Sequence, residues 1–194
     1  MAASSATKTG DHHPNFRHAH AAIAFEPLQD GDAGTIQSLE AMVRAVKGQI
    51  APDFSGFSDP YNKALAQRIV VNSDPVTALF RFVRDGLRYV EHPINMQVVK
   101  DCRRLVESGE GDCVSKSVCL ATLLTVYGFT PRFVAQDPDG RGFNHVYVEV
   151  EVYTPGDWVA LDATADGKDG RPLGDVGWRQ ALPTEGVELV QPIF

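Results

Sequence analysis

The chain has 194 residues, 43% of them hydrophobic and 22% charged, which is apolar material for one core of ordinary size. A net charge of −7 argues against a broad nucleic-acid surface, because phosphate binding needs clustered cations. No apolar run reaches the ~18 residues of a membrane span, and the opening "MAASSATKTGDHHPNFRHAH" lacks the apolar region of a secretory signal.

Residues 1–33 read as a mobile polar arm. His12, His13, His18 and His20 cluster there, but no cysteine or carboxylate joins them at ligand spacing, so a solvated tail is expected and no metal. The domain itself is expected over 34–164. In "TIQSLEAMVRAVKGQI", Ile36, Leu39, Met42, Val43 and Val46 recur at helical spacing, and the pattern ends near Gly48. The link "APDFSGFSDP" follows, and Pro60 suits the first turn of a second helix running to Val70.

"NSDPVTALFRFVRDGLRYV" offers Ser73 or Asp74 as a cap, Pro75 at the first helical position, and an apolar stripe of Val76, Leu79, Phe80 and Val83. Residues 91–97 read as a loop and "VVKDCRRLVESG" as a short helix. Next comes "GEGDCVSKSVCLATLLTVYGFTPRF", a glycine turn, a helix opened by Cys113 behind the Asp112 cap, and a glycine stop. Beyond it the period changes to two. "PRFVAQD", "NHVYVEVEVY" and "DWVALDAT" alternate as strands, joined by "PDGRG" and "TPGD" turns. Residues 165–194, rich in Gly, Pro and Asp, read as an extended C-terminal tail. The expected class is α+β, with N-terminal helices and the cysteine helix packed on an antiparallel sheet.

Three cysteines without a CxxC motif suit a reduced, cytoplasmic setting. Cys102 and Cys119 fit core packing or inert exposure. Cys113 differs, because N–H groups and the dipole at a helix start stabilise a thiolate and could hold a developing oxyanion. The negative charge of Asp112 opposes the thiolate, so a cation is needed, and imidazolium is the usual one. Among six histidines, His145 alone begins a strand, on the face away from Val146, Val148, Val150 and Val152. If the next strand folds back through "TPGD", a turn centred near 155 sets His145 opposite about 165, close to Asp162. A surface histidine and a turn-forming aspartate remain the plainer alternatives for these two.

Cysteine on a helix start, histidine on a strand start and aspartate on the following strand form an ordered combination. In "GDCVSKSVCLATLLTVYGFTPRFV", "NHVYVEV" and "WVALDAT", with "ALFRFVRDGLRYV" upstream, the sequence resembles the transglutaminase-like (papain-like thiol) superfamily over roughly 75–164. The resemblance implies Cys113 as nucleophile, His145 as general base and acid, and Asp162 as its orienter. It implies a thiol-dependent hydrolase or acyltransferase, a cysteine protease or amidase among them, acting on a peptide or isopeptide amide of a peptide or protein substrate through a thioester, without a cofactor. Val114 stands where the large animal cross-linking enzymes carry tryptophan, and no EF-hand-type spacing exists, which argues against calcium-dependent cross-linking. Tyr89, Asn95 and Gln97 are open candidates for a second oxyanion donor.

Small domains of this plan also resemble ones from phage and prophage gene clusters. The alternative is therefore a structural or assembly protein of a virion, its two tails ordered by protein partners. An arylamine-acetyltransferase-like enzyme shares the residue order but needs a longer chain for an acyl-CoA site. Loops 91–97 and 137–142 are the expected cleft walls.

Overall fold

The computed structural model describes residues 31–50, 60–91, 99–137, 142–152, 154–164 and 187–194. The arm before residue 31, the loop residues 92–98 and 138–141, and residues 165–186 of the expected tail lie outside this set.

Helix α1 (Asp32–Ile50) buries Leu39, Met42, Val43 and Val46, as their spacing requires. Ile36 stays 41% exposed, a turn ahead of that buried stretch. Helix α2 is Pro60–Ile69 and α3 is Pro75–Gly86. Asp74, and not Ser73, caps α3: its Oδ2 accepts from the Thr77 N–H at 2.8 Å. A short strand β1 (Arg88–Tyr89) precedes α4 (Cys102–Ser108), which Gly109 ends with a left-handed φ of 71°. Strand β2 (Glu110–Gly111) runs parallel to β1, pairing Arg88 with Glu110 and Tyr89 with Gly111.

Helix α5 (Cys113–Tyr127) is the centre of the molecule. Every residue from Val114 to Leu124 is buried, because α1 to α4 surround one side of the helix and β3 and β4 the other. Polar groups on such a helix need partners. Lys116, 1% exposed, sends Nζ to the carbonyls of Leu87 at 2.8 Å and Arg84 at 3.2 Å, closing the C-terminal end of α3. Ser117 Oγ donates to the Val146 carbonyl at 3.2 Å, and Thr122 Oγ1 to the Val118 carbonyl at 2.8 Å.

Strands β3 (Thr130–Asp137), β4 (His145–Glu151), β5 (Trp158–Leu161) and β6 (Val187–Pro192) form an antiparallel sheet in the order β5-β4-β3-β6. Phe133, Ala135, Val146, Val148, Val150, Val159 and Leu161 join the core cluster built on α5. The class is α+β. Within the expected tail, 187–192 is a full strand of this sheet, pairing Val134 with Val190 and Ala135 with Leu189. Val134 and Tyr147 are buried on the opposite face of the sheet, so the alternation of apolar and polar sides fails there.

The cysteines depart from expectation. Packing of α4 on α5 brings the sulfurs of Cys102 and Cys119, both fully buried, into disulfide contact. Cys113 alone keeps a free thiol. Among the described residues no helix is long and apolar enough to cross a membrane, and no group of three or more His, Cys, Asp or Glu could hold a metal. The four tail histidines lie outside those residues.

Gly111 sits where α4, β2 and α5 converge. A Cβ added there would overlap Leu105 Cδ1 and come within 3.1 Å of Ser115 Cβ. Leu105 is buried and has little room to yield. A Gly111→Ala protein should therefore lose about 1–3 kcal/mol of stability, read from the midpoint of urea denaturation. An unchanged midpoint would show that this junction can relax.

Candidate active site

Cys113 stands at the first position of α5 because the chain caps that helix locally. Asp112 Oδ1 accepts from the Ser115 N–H at 2.8 Å, and the Asp112 carbonyl accepts from the Lys116 N–H at 3.0 Å. The Ser117 bond to the Val146 carbonyl ties the same first turns to the start of β4. That bond brings the neighbouring residue, His145, to Cys113. His145 Nε2 lies 2.7 Å from Asp162 Oδ2, and His145 and Cys113 line the same cavity. With Nε2 committed to the carboxylate, Nδ1 is the nitrogen left for the sulfur.

Asp162 is held in turn. Its Oδ1 accepts from the Thr164 N–H at 2.8 Å and from Thr164 Oγ1 at 2.7 Å. The sheet register explains how two residues 17 apart meet. Val148 pairs with Leu161, and continuing that pairing sets His145 opposite Thr164. Asp162 then lies diagonally across, on the same face, within reach of a long ring. The structure thus brings Cys113, His145 and Asp162 together at the junction of α5, β4 and β5.

The electrostatics follow from this enclosure. Burial of His145 disfavours its charged form, but the hydrogen bond it donates to Asp162 and the neighbouring Asp162 and Cys113 groups outweigh it, raising the pKa to about 10. Burial likewise works against the Asp162 carboxylate, and the His145 bond and charge, with both Thr164 bonds, carry its pKa below the ordinary value. The geometry therefore favours an imidazolium paired with the Asp162 carboxylate at neutral pH.

Tyr89 approaches the same place through the β1–β2 pairing, which sets it beside Gly111, two residues before Cys113. Its burial, then the negative charges of Cys113, Glu91, Asp112 and Asp162, push its hydroxyl up to about 12, so it stays a neutral O–H donor. Asn95 and Gln97, the other candidates, lie outside the described residues. A cavity of about 190 Å³ opens beside Cys113 and His145. Much of the two expected wall loops is outside the described residues. The walls that are described come from α1, through Leu39 and Met42, and from Phe143 and Asn144 before β4. Sequence reasoning missed the contribution of α1, because no local signal marks it.

This chain is similar in part to several solved proteins. Its structure is similar, at 16% identity and a TM-score of 0.48, to a solved "putative protease" from Parabacteroides distasonis ATCC 8503, covering 63% of this chain and 26% of that one. A "putative cysteine protease" from Cytophaga hutchinsonii gives 15% identity and a TM-score of 0.37, with coverages of 70% and 43%. A structure described as a TGase gives 15% identity and a TM-score of 0.40, with coverages of 76% and 36%. The chain therefore spans less than half the length of each of these structures. No curated protein sequence matches it. The Transglut_core family, described as the transglutaminase-like superfamily, matches residues 61–163, from α2 through the cysteine helix to the residue after Asp162. Since that match takes in more than half of the sequence, this chain belongs to the transglutaminase-like superfamily.

Proposed function

We propose that this chain is a thiol-dependent hydrolase or acyltransferase acting on a peptide or isopeptide amide. Cys113 is the nucleophile, His145 the general base and acid, and Asp162 the group that orients the imidazole. The observation that carries this reading is an imidazole hydrogen-bonded to a buried carboxylate and lining one cavity with the free Cys113 thiol.

The chemistry runs in two halves. The Cys113 sulfur, as thiolate, adds to the amide carbonyl carbon, forming a C–S bond and placing negative charge on the carbonyl oxygen. Backbone N–H groups at the start of α5 face that charge, and Tyr89, paired with Gly111 two residues before Cys113, is the candidate side-chain donor among the described residues. The C–N bond then breaks, and the leaving nitrogen takes the imidazolium proton. The acyl group remains as a thioester. In the second half His145 removes a proton from water or an amine, which attacks the thioester and releases the sulfur.

The expected signature is the reactivity of Cys113 itself. A thiolate paired with imidazolium should react with iodoacetamide at pH 6 at least about tenfold faster than free cysteine, which is nearly all thiol there. A His145→Asn protein should lose that advantage. Rates are read by mass spectrometry of the labelled peptide containing Cys113. A wild-type rate at pH 6 no faster than that of free cysteine would remove the basis for this function.

A further inference from the structure

The cavity beside the sulfur has a composition of its own. Four residues of α1, namely Thr35, Ser38, Leu39 and Met42, fall at the spacings that share one helix face, and all four line it. Leu39 and Met42 are buried at its floor, and Thr35 and Ser38 are only partly covered. Val114 and Phe143 add apolar wall, and the lining side chains that can carry charge are the reacting pair Cys113 and His145. This wall belongs to residues that precede the family match, which begins at residue 61.

Size restricts what can enter. An engineered apolar cavity of ~150 Å³ holds benzene, whereas sites for whole drug-sized ligands run to about 300–1,000 Å³. At about 190 Å³, this space suits one side chain and not a coenzyme. Met42 adds an unbranched, adaptable side chain that can follow the outline of different apolar groups.

We infer that α1 forms a substrate subsite that receives one uncharged, apolar side chain next to the amide attacked by Cys113. The inference rests on Cys113 being the nucleophile, since it names what that sulfur selects. The subsite makes the enzyme selective for amides flanked by an aliphatic or aromatic residue, because a charged residue there would lose its hydration against walls made mainly of Leu39, Met42, Val114 and Phe143.

Haloacetamides test this without knowledge of the natural substrate. In each, the sulfur forms a bond to the methylene carbon and iodide leaves. N-phenethyl-iodoacetamide carries an apolar group, N-(2-aminoethyl)-iodoacetamide a cationic one, and iodoacetamide neither. Relative to iodoacetamide, and corrected by the same ratio on free cysteine, the phenethyl reagent should label Cys113 roughly tenfold faster, with saturation. The aminoethyl reagent should show no such gain. Ser38→Phe and Thr35→Phe, at partly exposed positions, fill the space and should bring the phenethyl ratio toward one. A wild-type phenethyl ratio near one, or an equal gain for the aminoethyl reagent, would overturn the subsite. The plain iodoacetamide rate reports separately on the thiolate, so failure of the subsite and failure of the proposed function give different results.

Discussion

A Cys113→Ala protein should fold as the wild type does and lose amide turnover by at least about a thousandfold, because removing the nucleophile of such a unit leaves only binding and oxyanion contacts. The fold should survive for local reasons. Asp112 caps α5 through its own side chain and carbonyl, not through the sulfur, and Cys113 is only partly buried. Truncation there should cost less than about 1 kcal/mol, seen as an almost unchanged urea midpoint. Turnover is followed as new amino groups and ammonia released from a mixed peptide pool. Loss of turnover with retained stability would also dispose of a purely structural role, the alternative in which the fold serves an assembly and the thiol is incidental. Turnover surviving in the variant would exclude Cys113 as the nucleophile.

Much of the molecule that matters for this prediction was legible because its signals are local. Asp112 before the helix and Gly128 after it are a cap and a left-handed stop, and both perform those roles in α5. The valines of β4 and the "TPGD" turn set the face and approximate register of that strand, which brings His145 and Asp162 onto one side. What escaped was decided by distant partners. Strand β6 reads as part of an extended tail, and pairs with β3 only after a connection of about 50 residues, so no neighbouring pattern marks it. Lysine is ordinarily a solvated residue, and Lys116 is not. It is buried because the end of α3 presents carbonyls to it, which are tertiary features. The contact between Cys102 and Cys119 depends in the same way on how α4 docks against α5. The cavity wall on α1 belongs to the same class: its four residues look like an ordinary helix face until β4 and α5 are in place.

Asp162→Asn should lower turnover by roughly a hundred- to ten-thousandfold while keeping the shape of the side chain. An amide can still bond to the ring, but it offers no charge to the imidazolium, so the base is held in the wrong state. The same substitution should alter how stability depends on pH. The His145 pKa is raised from its ordinary 6.5 to about 10, so its contribution is fully present below 6.5 and disappears as pH rises through 10. The Asp162 pKa is lowered from its ordinary 3.8, so its contribution is present above that value and disappears as pH falls through the lower folded value. Both contributions are therefore complete between about pH 4 and 6.5. In that window wild type should exceed Asp162→Asn by on the order of 3 kcal/mol, since the substitution strands a buried charge. The gap should narrow toward pH 10 and again in strong acid. Urea titrations at pH 3, 5.5 and 9.5 measure it, and a difference that is flat across all three would show that the two side chains do not share charge in the folded protein.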